Sequence, residues 1–243
     1  MGHAEAGGYR TSGHRHMTFS IEERASDSPF IERIWRARTE SIGTLISQAA
    51  THCEMVVIND GTQTQVIVRG PETKATPLPV QSVGVEYFGI TFATGAFIPR
   101  LPPSALVDHT DVNLPEASNQ SFWFDGATWQ IPTYENADTF VKRLIRENLL
   151  VRDPVVEAVL AGRSPDVSTR SVQYRFLQAT GLTQSTIHQI KRARQAAALL
   201  ARGVSILDVV HGVGYADQPH LTRALKRYVG QTPAQIARVV PPG

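Results

Sequence analysis

Gln218, His220, Thr222, Arg223, Lys226 and Arg227 lie close together near the end of the chain, interleaved with Leu221, Ala224, Leu225 and Tyr228. On a helix the four apolar residues recur at three- and four-residue spacing and form one buried stripe, which turns the six polar residues outward. Arginine can grip guanine O6 and N7 with two hydrogen bonds, and histidine and glutamine reach base edges. Lys226 and Arg227 lie where a helix end meets phosphate, with Thr222 as a further phosphate donor. The chemistry these residues suit is contact with duplex DNA. A merely solvated basic face is the alternative, and it does not explain the turn that precedes this helix.

That turn follows from a few residues. Ser205 and Asp208 make a capping pattern, and Ile206, Val209, Val210 and Val213 share one helical face, so the spacing predicts a short helix stopped by Gly214. Tyr215 then offers a large side chain to a core, Asp217 caps the next helix, and Pro219 sits in its first turn, where a missing N–H costs nothing. A helix, a glycine turn and a polar second helix form the helix-turn-helix arrangement, whose second helix enters the major groove.

A second unit of this kind is expected upstream. Asp153 and Pro154 start a helix over "DPVVEAVLAG", and in the following "RSPDVSTRSVQYRFLQATGL" Val172 and Phe176 point inward while Arg170, Ser171, Gln173, Tyr174 and Arg175 stay mostly exposed. Between the units, "STIHQIKRARQAAALLARG" reads as a strut helix of about 17 residues, or about 25 Å, with Ile190, Ala193, Ala197 and Leu200 as its apolar seam. With the flanking helices added, such a strut would hold two recognition helices about 34 Å apart, one turn of DNA. Its outward Lys191, Arg192 and Arg194 are expected at phosphates.

Charge agrees with this division. Residues 1 to 150 carry 12 Lys and Arg against 17 Asp and Glu, a balance of −5, whereas residues 151 to 243 carry 12 against 5, a balance of +7. A small basic half beside an acidic one points to nucleic acid. No apolar run has the length of a membrane helix, so no membrane partner is expected and the cytoplasm is the expected location. Cys53 is the only cysteine, which excludes an intramolecular disulfide and a zinc site built on several thiolates. Residues 1–17, rich in Gly and His, read as a disordered leader.

Over residues 151–243 the order of these pieces resembles the AraC/XylS family of bacterial transcription regulators, through "STRSVQYRF", "AALLARG", "ILDVVHGVGYADQPHLTRALKR" and "VGQTPAQIAR". The resemblance implies base contacts from Arg170, Gln173 and Tyr174 in the first recognition helix and from Pro219, His220 and Arg223 in the second. Tyr174 stands where the family often has a basic residue and Pro219 where it has a polar one, so neither can make the bidentate contact expected there. The family also implies a cupin-like N-terminal domain for ligand sensing or dimerisation. "FGITFATGAFIPRLPPSALVDHTDVNL" is loosely similar to such domains.

The N-terminal residues read as β structure on their own. "CEMVVIND" and "TQTQVIVRG" are β-branched runs joined by the hairpin signal Asp60-Gly61, and "SVGVEYFGITF" is a third strand, closed by "PRLPP". A helix follows Pro132, with Ala137, Phe140, Val141, Leu144, Ile145 and Leu149 on one stripe, to be packed on the β domain or paired with a second copy.

Trp35, Trp123, Trp129, Phe88, Phe92 and Phe97 are candidates to line an apolar pocket or to fill a core. His52, Cys53, Asp108, His109 and Asp111 are metal-ligand types without a close-set trio, and adjacent His52 and Cys53 must face opposite sides of a strand. Alkyl transfer by Cys53 would need an activated thiolate, for which His52 gives only weak support and no basic residues cluster.

The expected fold is therefore α+β multidomain: a β-rich barrel or sandwich over 18–133, a connecting amphipathic helix over 134–150, and an all-α domain over 151–243 with two helix-turn-helix units. The expected function is a sequence-specific DNA-binding regulator, without catalytic residue, metal or cofactor. A small-molecule effector, RNA polymerase and a second copy are further partners that the resemblance implies. The alternative is a cupin-like metal- or ligand-binding protein with catalysis in the N-terminal domain.

Overall fold

A computed structural model describes residues 19–109 and 111–238. The leader expected over 1–17 lies outside the described residues.

The first half is built from β1 (Phe19–Arg24), β2 (Ile31–Thr39), β3 (Gly43–Ser47), β4 (Glu54–Asn59), β5 (Thr64–Arg69), β6 (Thr76–Val80), β7 (Glu86–Phe92), β8 (Ala96–Phe97), α1 (Pro103–Leu106), β9 (Val112–Leu114), β10 (Glu116–Ser118), β11 (Ser121–Phe124) and β12 (Ala127–Gln130). Six of these strands form an antiparallel sheet in the order β1-β2-β7-β4-β5-β9. The expected hairpin closes β4 onto β5, with Gly61 at φ +87° and the Asp60 carboxylate accepting from the N–H groups of Thr62 and Gln63.

Strand side chains alternate between faces, so register decides what each face buries. Ile34, Ile90, Met55, Val68 and Val112 lie opposite one another in one row across the sheet and belong to its core face. The three-stranded sheet β10-β11-β12 and α2 (Ala137–Arg146) close over that face through Phe122, Trp129, Phe140, Val141 and Leu144. The rings of Trp129 and Phe140 meet edge to face at 5.8 Å, and the Arg143 guanidinium lies 4.0 Å from the Trp129 centroid. The apolar stripe of α2 is thus spent inside its own chain rather than on a second copy.

The opposite sheet face carries Trp35, Ala37, Val56 and Tyr87 and is roofed by the β3-β6 ribbon, leaving a cleft. Of the six aromatic candidates, Trp35 lines this cleft, and Phe88 borders a wider polar groove at the end of the core face. Phe92 and Trp129 are core, Phe97 packs against the helical half, and Trp123 is exposed.

The second half is helical: α3 (Pro154–Leu160), α4 (Thr169–Thr180), α5 (Gln184–Ala201), α6 (Ile206–Gly212), α7 (Gln218–Tyr228) and α8 (Pro233–Ala237). The strut α5 buries Ile187, Ile190, Ala193, Ala196 and Leu200. Ala196 replaces the expected Ala197 because the seam drifts around a helix of 3.6 residues per turn, and Ala197 is half-buried beside it.

Contacts cross between the halves on either side of residue 150. β13 (Val151–Arg152) pairs with β8, and α1 packs on α4. Phe97, Val107 and Ala49 join the core of the helical half. Gly89 illustrates how closely the sheet is filled: it sits opposite Trp35 in the β2-β7 register, and a Cβ there would run into the indole. We expect Gly89→Ala to lower unfolding free energy by about 1–3 kcal/mol through overpacking. Urea denaturation checks this, and an unchanged midpoint would mean that the indole yields without cost.

Candidate nucleic-acid interface

Each helix of the two units starts on a side-chain cap. Asp153 accepts from the N–H groups of Val155 and Val156 at α3, Ser168 from Ser171 at α4, and Thr183 from Thr186 at α5. Ser205 accepts from Asp208 at α6, and Asp217 from His220 at α7. Such caps satisfy N–H groups that a helix leaves orphaned, so the start points are written locally. The stops are glycines in the left-handed region, with Gly181 at φ +68° after α4 and Gly214 at φ +75° in the turn between α6 and α7.

The inward residues of the second unit are buried as its spacing requires. Val209, Val210, Tyr215, Leu221, Leu225 and Tyr228 enter the core, with Ile206, Val213 and Ala224 packed at its margin. That arrangement leaves Gln218, Pro219, Arg223, Lys226 and Arg227 exposed and His220 and Thr222 half-buried. The Thr222 hydroxyl donates to the Gln218 carbonyl at 2.9 Å, so its proton is spent on the helix. In α4, Phe176 is buried and Arg170, Gln173 and Tyr174 are exposed, Tyr174 by 62%. Arg175 is drawn back to Asp153 at 3.0 Å.

The three strut residues expected at phosphates diverge. Lys191 is exposed. Arg192 donates to the Gly214 carbonyl at 3.3 Å and stacks 4.4 Å from the Tyr215 centroid, a placement inside the turn. Arg194 faces the other way, into the cleft beneath the β3-β6 ribbon. The reason is helical: residues two apart on α5 project in directions roughly 200° apart, so one strut cannot present all three to the same backbone. Composition alone carried no signal of this.

The cleft measures about 390 Å³ and has apolar walls from Trp35, Leu45, Ile46 and Leu78. Its charged lining is largely self-paired: Arg33 with Glu23 at 2.7 Å, and Arg69 with Glu54 at 3.2 Å and with Asp111 at 2.8 Å. Arg194 makes no hydrogen bond or ion pair among the described residues. His52 Nδ1 approaches Glu32 Oε2 to 3.5 Å, and this contact, aided by the charges of Arg194 and Arg33, holds the Glu32 carboxyl below the ordinary carboxylate range against the effect of burial.

The five ligand-type residues of this half do not converge. Asp111 is engaged by Arg69, Asp108 accepts from Thr73, His52 faces the cleft and Cys53 faces the core. Among the described residues no three His, Cys, Asp or Glu side chains gather, and no helix is long and apolar enough to cross a membrane.

Residues 163–238 match the family model described as a helix-turn-helix domain. This segment is a helix-turn-helix domain, in accord with the AraC-type resemblance of its motifs. It is similar to the HTH-type transcriptional regulator RipA of Corynebacterium glutamicum, 43% identical over 68 residues, which are 28% of this chain and 20% of that protein. The RipA of Corynebacterium diphtheriae is 39% identical over 71 residues, 29% of this chain and 21% of that protein. The matched segment thus spans about a fifth of those HTH-type transcriptional regulators. Among solved structures, ToxT from Vibrio cholerae O395 bound to (E)-4-(8-methylnaphthalen-1-yl)but-3-enoic acid aligns over 90% of this chain and 98% of its own, at 11% identity and a TM-score of 0.39.

Cys53 is 4% exposed, and burial, with the Glu54 charge beside it, pushes its thiol up to about 12. A thiol held protonated in a core is a poor nucleophile, which argues against alkyl transfer. We expect the native chain at pH 8 to resist a disulfide thiol reagent over a period in which the urea-unfolded chain reacts fully. Equal rates in the two states would restore Cys53 as a reactive group.

Proposed function

We propose that the chain is a sequence-specific DNA-binding transcription regulator that works in the cytoplasm and responds to a small molecule through its N-terminal half. The observation that carries the DNA reading is the outward face of α7, where Pro219, His220, Arg223, Lys226 and Arg227 stand on a helix whose opposite side is buried, within a segment of AraC type.

In this reading Arg170, Gln173, Tyr174, Pro219, His220 and Arg223 meet base edges, whereas Lys191, Lys226 and Arg227 meet phosphates. Arg223 supplies the bidentate contact to guanine, and Pro219 and Tyr174 offer apolar and aromatic surface suited to a thymine methyl. Selection of bound sequences from a random duplex pool tests the reading, with two short blocks about one helical turn apart as the expected product. Arg223→Ala is expected to cost about 1–3 kcal/mol at one base pair and to relax specificity there. Lys226→Ala is expected to weaken all sequences alike and to flatten the salt dependence by about one unit of slope. Equal loss on specific and random DNA with Arg223→Ala would remove its base-reading role, and an unchanged slope with Lys226→Ala would remove the phosphate contact.

The effector reading rests on the cleft. It is apolar on its ribbon side, carries Arg194 without a hydrogen bond or ion pair among the described residues, and is bordered by both halves of the chain. A small molecule there would bias only states it binds unequally, and Arg194 gives the strut a direct stake in occupancy. RNA polymerase and a second copy rest on the family resemblance alone. We expect a ligand that changes DNA affinity to raise the melting temperature of the full chain, and Leu78→Trp, which fills the cleft, to abolish both effects. Failure of every small molecule to alter DNA affinity would leave the N-terminal half with a structural role.

A further inference from the structure

We propose that Tyr215 and Arg192 are positioning residues for His220, so that the base read by His220 is set from the strut helix as well as from α7. This inference rests on the DNA-binding reading above and adds residues that do not themselves touch DNA.

Three side chains from three elements form one stack. Arg192 comes from α5, Tyr215 from the turn, and His220 from the first turns of α7. The Arg192 guanidinium lies 4.4 Å from the Tyr215 centroid, and the Tyr215 and His220 rings meet edge to face at 5.1 Å and 87°. The backbone N–H of His220 is held separately, by Asp217 Oδ1 at 2.6 Å. Backbone and ring of His220 are therefore both fixed, the backbone by the cap and the ring by Tyr215.

The stack has features that a plain core contact does not need. Tyr215 is 5% exposed, and its hydroxyl is buried without a well-formed hydrogen bond among the described residues, with the Arg192 guanidinium as the polar group nearest to serving it. A hydroxyl left in that state costs stability, so the useful part of the side chain is its ring. Arg192 directs Nη1 to the Gly214 carbonyl at 3.3 Å, while its Nε is buried without a partner among the described residues. A guanidinium facing a ring on one side and a turn carbonyl at its end is poorly placed to serve a phosphate as well. A histidine that reads a base must hold its ring within hydrogen-bond tolerance, and a ring wedged against a fixed neighbour meets that need.

The test uses the full chain. Random-duplex selection with the parent protein and with His220→Ala identifies the base pair that depends on His220. Affinities for four duplexes differing at that pair, and the salt dependence on the best of them, are then measured for Tyr215→Phe, Tyr215→Leu and Arg192→Gln. Tyr215→Phe keeps the ring and should retain the parent discrimination. Tyr215→Leu and Arg192→Gln should reduce it by about tenfold, within the range of a single base contact, and leave other positions and the salt slope unchanged.

Loss of about 0.9 in slope with Arg192→Gln, together with equal weakening on all four duplexes, would make Arg192 a phosphate contact and overturn the proposal. Unchanged discrimination in Arg192→Gln would overturn it too, as would a His220→Ala variant with no altered position. If Tyr215→Leu fails to fold, Arg192→Gln and Tyr215→Phe decide. Failure of the DNA-binding reading itself is separate, because the parent protein would then select no motif.

Discussion

The last carbonyl groups of an α-helix have no donors within the helix. In α7 two of them find donors in the other half of the chain: Ala49 N–H bonds the Tyr228 carbonyl at 2.8 Å, and Ala75 N–H bonds the Arg227 carbonyl at 2.7 Å. Gly230, at φ +81°, then passes so near the ribbon that a Cβ would lie 2.6 Å from Ile46 Cγ2 and 3.2 Å from Ala75 Cβ. The first recognition helix ends in the same way. Gly181, at φ +68°, abuts the α1 segment, where a Cβ would lie 2.6 Å from Val107 Cγ2 and 2.8 Å from the Pro103 carbonyl carbon. Each glycine answers two demands at once, since its turn needs a left-handed backbone and its neighbour leaves no room for a side chain.

Both recognition helices are consequently held at their C-terminal ends by the β-rich half and left free at the ends that bear Arg170 and His220. The strut α5 fixes how far apart the two units can be, but a single helix does not fix their rotation about its axis. Contacts at Gly181 and Gly230 supply that second constraint. At α4 the segment that provides it is α1, and at α7 the segments are continuous with the β3-β6 ribbon, since Ala49 follows β3 and Ala75 precedes β6. Whatever shifts the ribbon bears directly on the end of α7, and no chain of intermediate residues is needed for the coupling.

How much of this was legible in the sequence follows from how local each signal is. Caps, glycine stops and three-and-four spacing act within a few residues, so α3 to α7 could be read from Asp153, Ser205, Gly214, Asp217 and their apolar stripes. The Asp60-Gly61 hairpin was legible for the same reason. The β3-β6 ribbon was not: Pro77 and Pro79 in β6 argue against a strand, and they are tolerated because the ribbon is only two strands wide and leaves edges that need no donor. The separate fates of Arg192 and Arg194 were also hidden. Both read as outward cations on a basic strut, and only the turn at Gly214 on one side and the ribbon on the other decide where each is used.

The same contrast explains why the two arginines carry different weight. Arg192 is held by groups that belong to its own half, the Gly214 carbonyl and the Tyr215 ring, so its position does not depend on the ribbon. Arg194 lines the cleft of the β-rich half, where Glu32 supplies an attractive charge without a close ion pair among the described residues. Arg194 is half-buried in a cleft with apolar walls and makes no hydrogen bond or ion pair among the described residues. Under the effector reading proposed above, an anionic group in the cleft would face Arg194, on the one helix that joins the two recognition units.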